Sequence, residues 1–192
     1  MIMTFDAQEV IQQELEPGER LVWAGQPLQG MRFRRSDLFM IPFSLLWGGF
    51  AFFWEWTVIQ EDGPLVAQLF GLPFVLVGLY MIAGRFFLEA KQREKTFYGI
   101  SNERLIIASG IFKKTMTSLN LNTLNNISLT EESDGSGTIT FGPPSLAGPW
   151  FGRMPWPGAE SFLGPSFDLL ENAKTVYQHI RDAQKSLTTR TS

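Results

Sequence analysis

The sequence predicts a membrane protein in which a two-helix transmembrane hairpin is combined with a cytoplasmic, mainly-β roll that ends in a C-terminal α-helix. Two long apolar runs, separated by only five residues, lie in the first half of the 192-residue chain. Short strand-like runs with a two-residue apolar period follow them, bounded by turn residues. The last apolar residues recur at spacings of three and four, which is typical of an amphipathic helix.

Residues 1–37 are predicted to be a cytoplasmic segment with one short helix and one strand. The helix is expected over 6–15, with Asp6 as its N-cap, and the strand over 20–24. Because this segment is polar and charged, no signal peptide is predicted, and the first apolar run is expected to be an uncleaved anchor. Trp23 is predicted to pack against the sheet or helix formed after residue 95.

The apolar runs 38–59 and 65–88 are predicted to be transmembrane helices, with residues 60–64 as an external turn. At about 1.5 Å per residue, each run reaches roughly 33 to 36 Å, which exceeds a hydrocarbon core of about 30 Å. The alternative is a pair of buried helices in a soluble protein. Such helices usually carry polar residues in every turn, whereas these runs hold one charge each, Glu55 and Arg85.

Basic residues at the flanks predict the orientation of the hairpin. The cations nearest the two runs are Arg32, Arg34, Arg35, Lys91, Arg93 and Lys95. The turn at 60–64 holds two acidic residues and no cation. Because positive charge is retained on the cytoplasmic side, both termini are expected in the cytoplasm.

The two charges inside the runs are expected to reach the membrane surface. Arg85 lies within a turn of the cytoplasmic end and Glu55 about a turn below the outer surface, where long side chains extend towards water. The antiparallel hairpin places them at opposite depths, so they are not expected to pair with each other. A transport role for Glu55 is the less favoured interpretation.

Small residues predict the contact between the two helices. These are Ser44 and Gly48 in the first run and Gly71 and Gly78 in the second. Helices in lipid associate where small residues let their backbones approach. With the ends of the helices matched, Gly48 is expected near the depth of Gly78.

Residues 89–192 are predicted to form a cytoplasmic domain built on an antiparallel meander. Strand-like runs cover 95–100, 104–109, a ribbon from 112 onwards, the alternating positions Ile127 and Leu129, and 137–141. A Pro-rich aromatic stretch follows at 142–165. The C-terminal helix is expected over 166–187, with Ser166 as its cap.

Two stretches resemble a known family. Residues 15–27, which include Glu16-Pro17-Gly18-Glu19-Arg20, resemble the opening of two-span bacterial membrane proteins that carry a pleckstrin-homology (PH-like) domain. Residues 98–106 are similar to the start of that domain, with Ser101 where Thr is expected. The resemblance implies a PH-like roll of about seven strands plus the C-terminal helix, in a bacterial cytoplasmic membrane. It implies no enzymatic activity, and some relatives are thought to form homo-oligomers or bind proteins.

No catalytic residue, cofactor or metal site is predicted. His179 is the only histidine, and no pattern supplies a catalytic partner for it. Glu131, Glu132 and Asp134 lack the ligand spacing of a calcium loop and are better explained by a hairpin turn. The absence of cysteine excludes thiolate chemistry, and a net charge of -3 argues against general nucleic-acid binding.

Two binding hypotheses remain, in addition to contact with the lipid bilayer itself. In the preferred one, the domain is a membrane-tethered interaction module that holds a protein partner or another copy of the chain. An exposed strand edge or the aromatic residues Trp150, Phe151 and Trp156 would form the contact.

The alternative hypothesis is recognition of an anionic lipid headgroup. Lys113 and Lys114 lie together in a predicted turn, and Arg104 is expected nearby. Basic side chains near a membrane are attracted to anionic lipid. A membrane enzyme or a small transporter subunit is the least favoured interpretation.

Overall fold

The computed structural model describes residues 4–31, 37–111, 114–142 and 164–191. The chain forms two compact units. One contains Met1–Gly30 and Lys91–Ser192, and the other contains Met31–Ala90. The second unit therefore interrupts the first in sequence.

The inserted unit is built from two long helices. Its elements are α2 (Asp37–Gln60), α3 (Leu65–Leu79), a π-helical turn (Tyr80–Gly84) and the first six residues of α4 (Arg85–Glu94). The last three join into one helix over Leu65–Glu94, six residues longer than the predicted run that ended at 88. By length and composition, both helices are apolar enough to cross a membrane.

Small residues line the contact between these helices. Ser44, Gly48, Gly71 and Gly78 are all buried, as predicted. A Cβ built on Gly78 would lie only 2.9 Å from the Gly48 Cα atom, which confirms that these two glycines meet. Large apolar side chains instead face outwards, among them Leu46, Phe50, Phe53, Trp56, Phe70 and Leu76.

Contrary to the prediction, the Arg85 side chain does not extend to the surface. Its Nη1 atom lies 2.9 Å from Asp37 Oδ1, and the two side chains are only 3% and 8% exposed. The prediction failed because Asp37, just before the apolar run, supplies a buried counter-charge. Glu55 packs instead at Gly71, where an added Cβ would collide with its Oε2 atom.

The N-terminal helix α1 (Thr4–Gln12) begins two residues before the predicted cap at Asp6. Ala7 and Ile11, one turn apart, are fully buried against Ile106 and Ala108. The helix ends at Gln12, three residues before the predicted end, and the N–H groups of Glu14 and Leu15 then bond three residues back in a closing turn. Strand β1 (Leu21–Gly25) follows.

The domain contains two antiparallel sheets. The first has the order β1-β2-β3-β4, with β2 (Phe97–Ser101), β3 (Arg104–Ser109) and β4 (Thr115–Asn120). The second has the order β5-β6-β7, with β5 (Ile127–Glu131), β6 (Gly137–Phe141) and β7 (Ser166–Leu170). These described strands fit the roll implied by the resemblance, and β1 joins it from before the helical hairpin by pairing with β2.

The prediction that the C-terminal helix begins at Ser166 is wrong. Residues Ser166–Leu170 form β7, and helix α5 covers Ala173–Thr191. The register slips by one residue where β7 pairs with β6, so Phe167 and Leu170 both enter the core although they lie three apart. This bulge reproduces a helical spacing within a strand.

The main core lies between the sheets and α5. Its largest fully buried side chains include Ile100, Leu105, Ile139, Phe167, Leu170 and Ile180. Tyr98 stacks on Phe167 with ring centroids 4.6 Å apart. Trp23 lies 6.2 Å from Phe167, which confirms that the N-terminal strand packs on the domain formed after residue 95.

Candidate functional site

Arg104, a candidate lipid-binding residue, begins β3 directly after a tight turn. Buried Ser101 closes this turn, because its hydroxyl oxygen accepts hydrogen bonds from the backbone N–H groups of Glu103 at 3.1 Å and Arg104 at 2.9 Å. The same hydroxyl donates to Glu19 Oε1 at 2.7 Å. Threonine would offer the same oxygen, so Ser101 fulfils the turn role expected of Thr.

The guanidinium of Arg104 is held by the N-terminal segment. Nε and Nη2 donate to the two carboxylate oxygens of Glu19 at 2.9 and 3.0 Å. Nη1 lies 3.0 Å from Glu16 Oε1, and Nη2 donates to the Glu14 carbonyl at 3.2 Å. The N-terminal segment thus occupies the groups that an anion would need.

The pair of Glu19 and Arg104 is charged and largely removed from water. The Glu19 side chain is only 2% exposed. Burial by itself raises the pKa of the Glu19 carboxyl, but hydrogen bonds from Arg104, the Glu16 backbone and Ser101 outweigh it, so this pKa lies below its usual value. The hydrogen bond to Glu19 in turn raises the pKa of Arg104. This chemistry stabilises the fold rather than a reacting group.

Sequence reasoning missed Glu19 as the partner of Arg104. The two residues are separated by 85 positions and by the whole helical hairpin. The sequence signal that could have identified Glu19 is the Glu-Pro-Gly-Glu-Arg motif. In this turn, the Glu19 carboxylate accepts a hydrogen bond from the backbone N–H of Glu16 at 2.8 Å.

Lys114 lies at the other end of the β3–β4 pair. In the register, Arg104 faces Asn120 and Ser109 faces Thr115, so Lys114 and Arg104 flank opposite ends of the hairpin. Lys114 forms an ion pair with Glu14 but its side chain remains 62% exposed. Lys113 lies outside the described residues. Lipid binding by these three cations therefore stays a prediction.

The aromatic candidates Trp150, Phe151 and Trp156 also lie outside the described residues. The chain on either side of their segment, at Gly142 and Gly164, lines a cavity of about 580 Å³. Leu119, Leu124 and Phe141 give this cavity apolar walls, and asparagines lie at its rim. The lining of this cavity therefore combines apolar residues with asparagines.

The described residues hold no group of three His, Cys, Asp or Glu side chains that could bind a metal ion. His179 is half-buried on α5, next to the buried residue Ile180.

Comparison with known proteins identifies the architecture. A family model described as the bacterial PH domain matches residues 44–184. The matched region begins inside α2, so it includes most of the helical hairpin as well as the strands and α5. Neither the curated proteins nor the solved structures gave a match.

Proposed function

Because this chain belongs to the bacterial PH domain family, we propose that it is a non-enzymatic interaction module held at the cytoplasmic face of a bacterial membrane. PH-like domains are generally non-enzymatic. The module binds protein partners or a second copy of itself. The two long apolar helices, each with large apolar side chains facing outwards, support its attachment to the bilayer.

The state of Arg104 is the observation that best supports protein binding over lipid binding. Its guanidinium is engaged by Glu19, Glu16 and the Glu14 carbonyl, so an anionic headgroup would have to displace buried ionic contacts. Breaking a buried charge pair is costly. Strand β4 carries no charged residue, so a partner that pairs with it displaces no ion pair of that strand.

The test compares two sets of substitutions in the full chain, purified in mild detergent. Changing Trp150, Phe151 and Trp156 to Ser should reduce oligomer size or remove co-purifying proteins, because large aromatic side chains dominate interface energies. Light scattering and identification of co-eluting proteins measure this, and thermal unfolding shows that the variant is folded. A folded variant with unchanged size and partners would exclude these three aromatic residues as the interaction surface.

Recognition of an anionic headgroup is the second candidate, supported by the exposure of Lys114. Changing Lys113 and Lys114 to Glu should then sharply reduce binding to vesicles that contain anionic lipid, in a salt-dependent way. Because the bilayer hairpin already anchors the chain, we expect only a mild effect. A large loss of vesicle binding with unchanged oligomer size would favour this candidate.

We propose a topology with both termini in the cytoplasm. The natural chain has no cysteine, so single cysteines report position without background. Glu61→Cys should react with an impermeant thiol reagent in intact cells, and Thr189→Cys should react only after the cells are opened. Labelling of Thr189→Cys from outside would overturn this topology.

A further inference from the structure

Strand β4 forms one edge of the first sheet, and half of its backbone hydrogen-bonding groups point away from that sheet. All six of its residues pair with β3 in unbroken register. The Leu121 N–H donates to the Glu103 carbonyl at 3.0 Å, which continues the same ladder. Backbone hydrogen bonding alternates along an antiparallel strand. The backbone N–H and C=O groups of Thr115, Thr117 and Leu119 therefore bond to β3, whereas the backbone groups of Met116 and Ser118 point away from the sheet.

Among the described residues, this edge lacks the usual protection against pairing with another strand. Proteins block exposed edges with charged residues, prolines or bulges. Strand β4 reads Thr-Met-Thr-Ser-Leu-Asn, with none of these features, and the Met116 side chain is 48% exposed. The other edge strands differ, since β1 has an irregular register, β5 ends in Glu131 and β7 contains Asp168.

The absence of charge favours a second copy of this chain as the partner. In a two-fold symmetric contact, residues close to the axis face their own copies, so any charge there would face the same charge. An uncharged strand avoids this repulsion, whereas a different partner would tolerate a complementary charge. The strand is also long enough for the pairing to be regular over several residues.

We propose that β4 pairs antiparallel with β4 of a second copy, about a two-fold axis at Thr117. This inference rests on the proposed interaction function and specifies its surface and partner. Met116 then faces Ser118 of the partner subunit, and the outward groups of these residues form four backbone hydrogen bonds. Thr117 faces its own copy as a non-hydrogen-bonded pair, with Cα atoms about 4.5 Å apart. Threonine pairs at such positions are favourable.

Cysteine cross-linking tests this register directly. Thr117→Cys places two cysteines at a Cα separation of about 4.5 Å, which suits a disulfide. Thr115→Cys is the matched control, because it lies on the same face of the same strand, while its two copies would be roughly 13 Å apart. The full chain is oxidised in mild detergent and separated without reductant. We expect at least tenfold more covalent dimer from Thr117→Cys, and equal yields would overturn the register.

Charge complementation separates loss of pairing from loss of folding. Thr117→Lys and Thr117→Glu should each reduce the oligomer to smaller species, because like charges meet at the axis, whereas Thr117→Val should retain wild-type size. Mixing the Lys and Glu chains should restore assembly.

The result also distinguishes this inference from the proposed function. If the wild-type chain assembles or binds partners while all Thr117 variants keep its size and contacts, the β4 pairing is wrong and the interaction function stands. A wild-type chain that is monomeric in mild detergent and co-purifies with no partner overturns both the β4 pairing and the interaction function.

Discussion

Two arginines, one in each unit of the molecule, show how differently the units accommodate buried charge. Arg104 in the domain uses its Nε, Nη1 and Nη2 atoms in contacts with Glu19, Glu16 and the Glu14 carbonyl. Arg85 in the helical hairpin has one ion pair, with Asp37, and its Nε and Nη2 atoms are buried with no hydrogen-bond partner among the described residues. Among the described residues, all three guanidinium nitrogens are thus engaged in Arg104, whereas only Nη1 is engaged in Arg85.

The two units also differ in the size of the side chains that they bury. The domain buries large side chains such as Phe167 and Ile180 between its sheets and α5. The hairpin buries Gly48 and Gly78 and leaves its large side chains outside. Burial of apolar surface therefore holds the domain together, whereas close backbone approach holds the hairpin together, with the Arg85–Asp37 ion pair near its end.

The largest expected effect concerns that ion pair. Arg85→Met removes a cation from beside the buried Asp37 carboxylate, and removal of one member of a buried ion pair costs about 3 to 5 kcal/mol. Thermal unfolding of the full chain in detergent measures the loss. The double variant Arg85→Met with Asp37→Asn should recover much of it, because the buried carboxylate is removed together with its cation. Equal stability of the single and double variants would show that the ion pair does not determine hairpin stability.

Trp23→Ala tests the domain in the same way. Trp23 is half-buried and packs on the main core beside Phe167, so its truncation should cost somewhat less than the about 3 to 5 kcal/mol of a fully buried aromatic side chain. The variant domain should become protease-sensitive although the hairpin still inserts. Val22→Ala is the matched control, since this neighbouring side chain is exposed. Unchanged protease resistance of Trp23→Ala would mean that β1 contributes little to the core.

Two glycine substitutions sharpen the account of hairpin packing. An added Cβ at Gly78 meets the backbone of Gly48, which cannot move aside, whereas at Gly71 it meets the flexible end of the Glu55 side chain. Gly78→Ala should therefore cost about 1 to 3 kcal/mol as overpacking, and Gly71→Ala less. Thermal unfolding in detergent ranks them, and a larger loss at Gly71 would show that Glu55 is fixed in place.

Local sequence patterns were sufficient for most elements but not for long-range partners. Hydropathy predicted both long helices, and two-residue alternation predicted the strands that follow them. The bulge in β7 misled the prediction at Ser166, because it gives Phe167 and Leu170 the spacing of a helix. The partners Asp37 and Glu19 could not be predicted from local pattern, since each meets its arginine only when distant segments come together in the fold.

The smallest expected effect is the pH dependence that Glu19 gives to the domain. Its pKa is lowered in the folded chain, whereas in the unfolded chain a glutamate titrates near 4.3. The unfolded state therefore takes up a proton first as pH falls, so the stabilisation is complete above about pH 4.3 and is lost as pH falls through the lowered pKa.

Comparison of the wild type with Glu19→Gln isolates this contribution from the other carboxylates. The wild type should be more stable at pH 7, and the difference in unfolding free energy should shrink as the pH falls below about 4.3. Glu16→Gln is the matched control, because Glu16 also contacts Arg104 but is 72% exposed, and its substitution should change stability little. If the difference in unfolding free energy between the wild type and Glu19→Gln stays constant from about pH 7 to about pH 3, the Arg104 contact stabilises the fold through packing and neutral hydrogen bonds. The contrast between the two arginines would then rest on Arg85 alone.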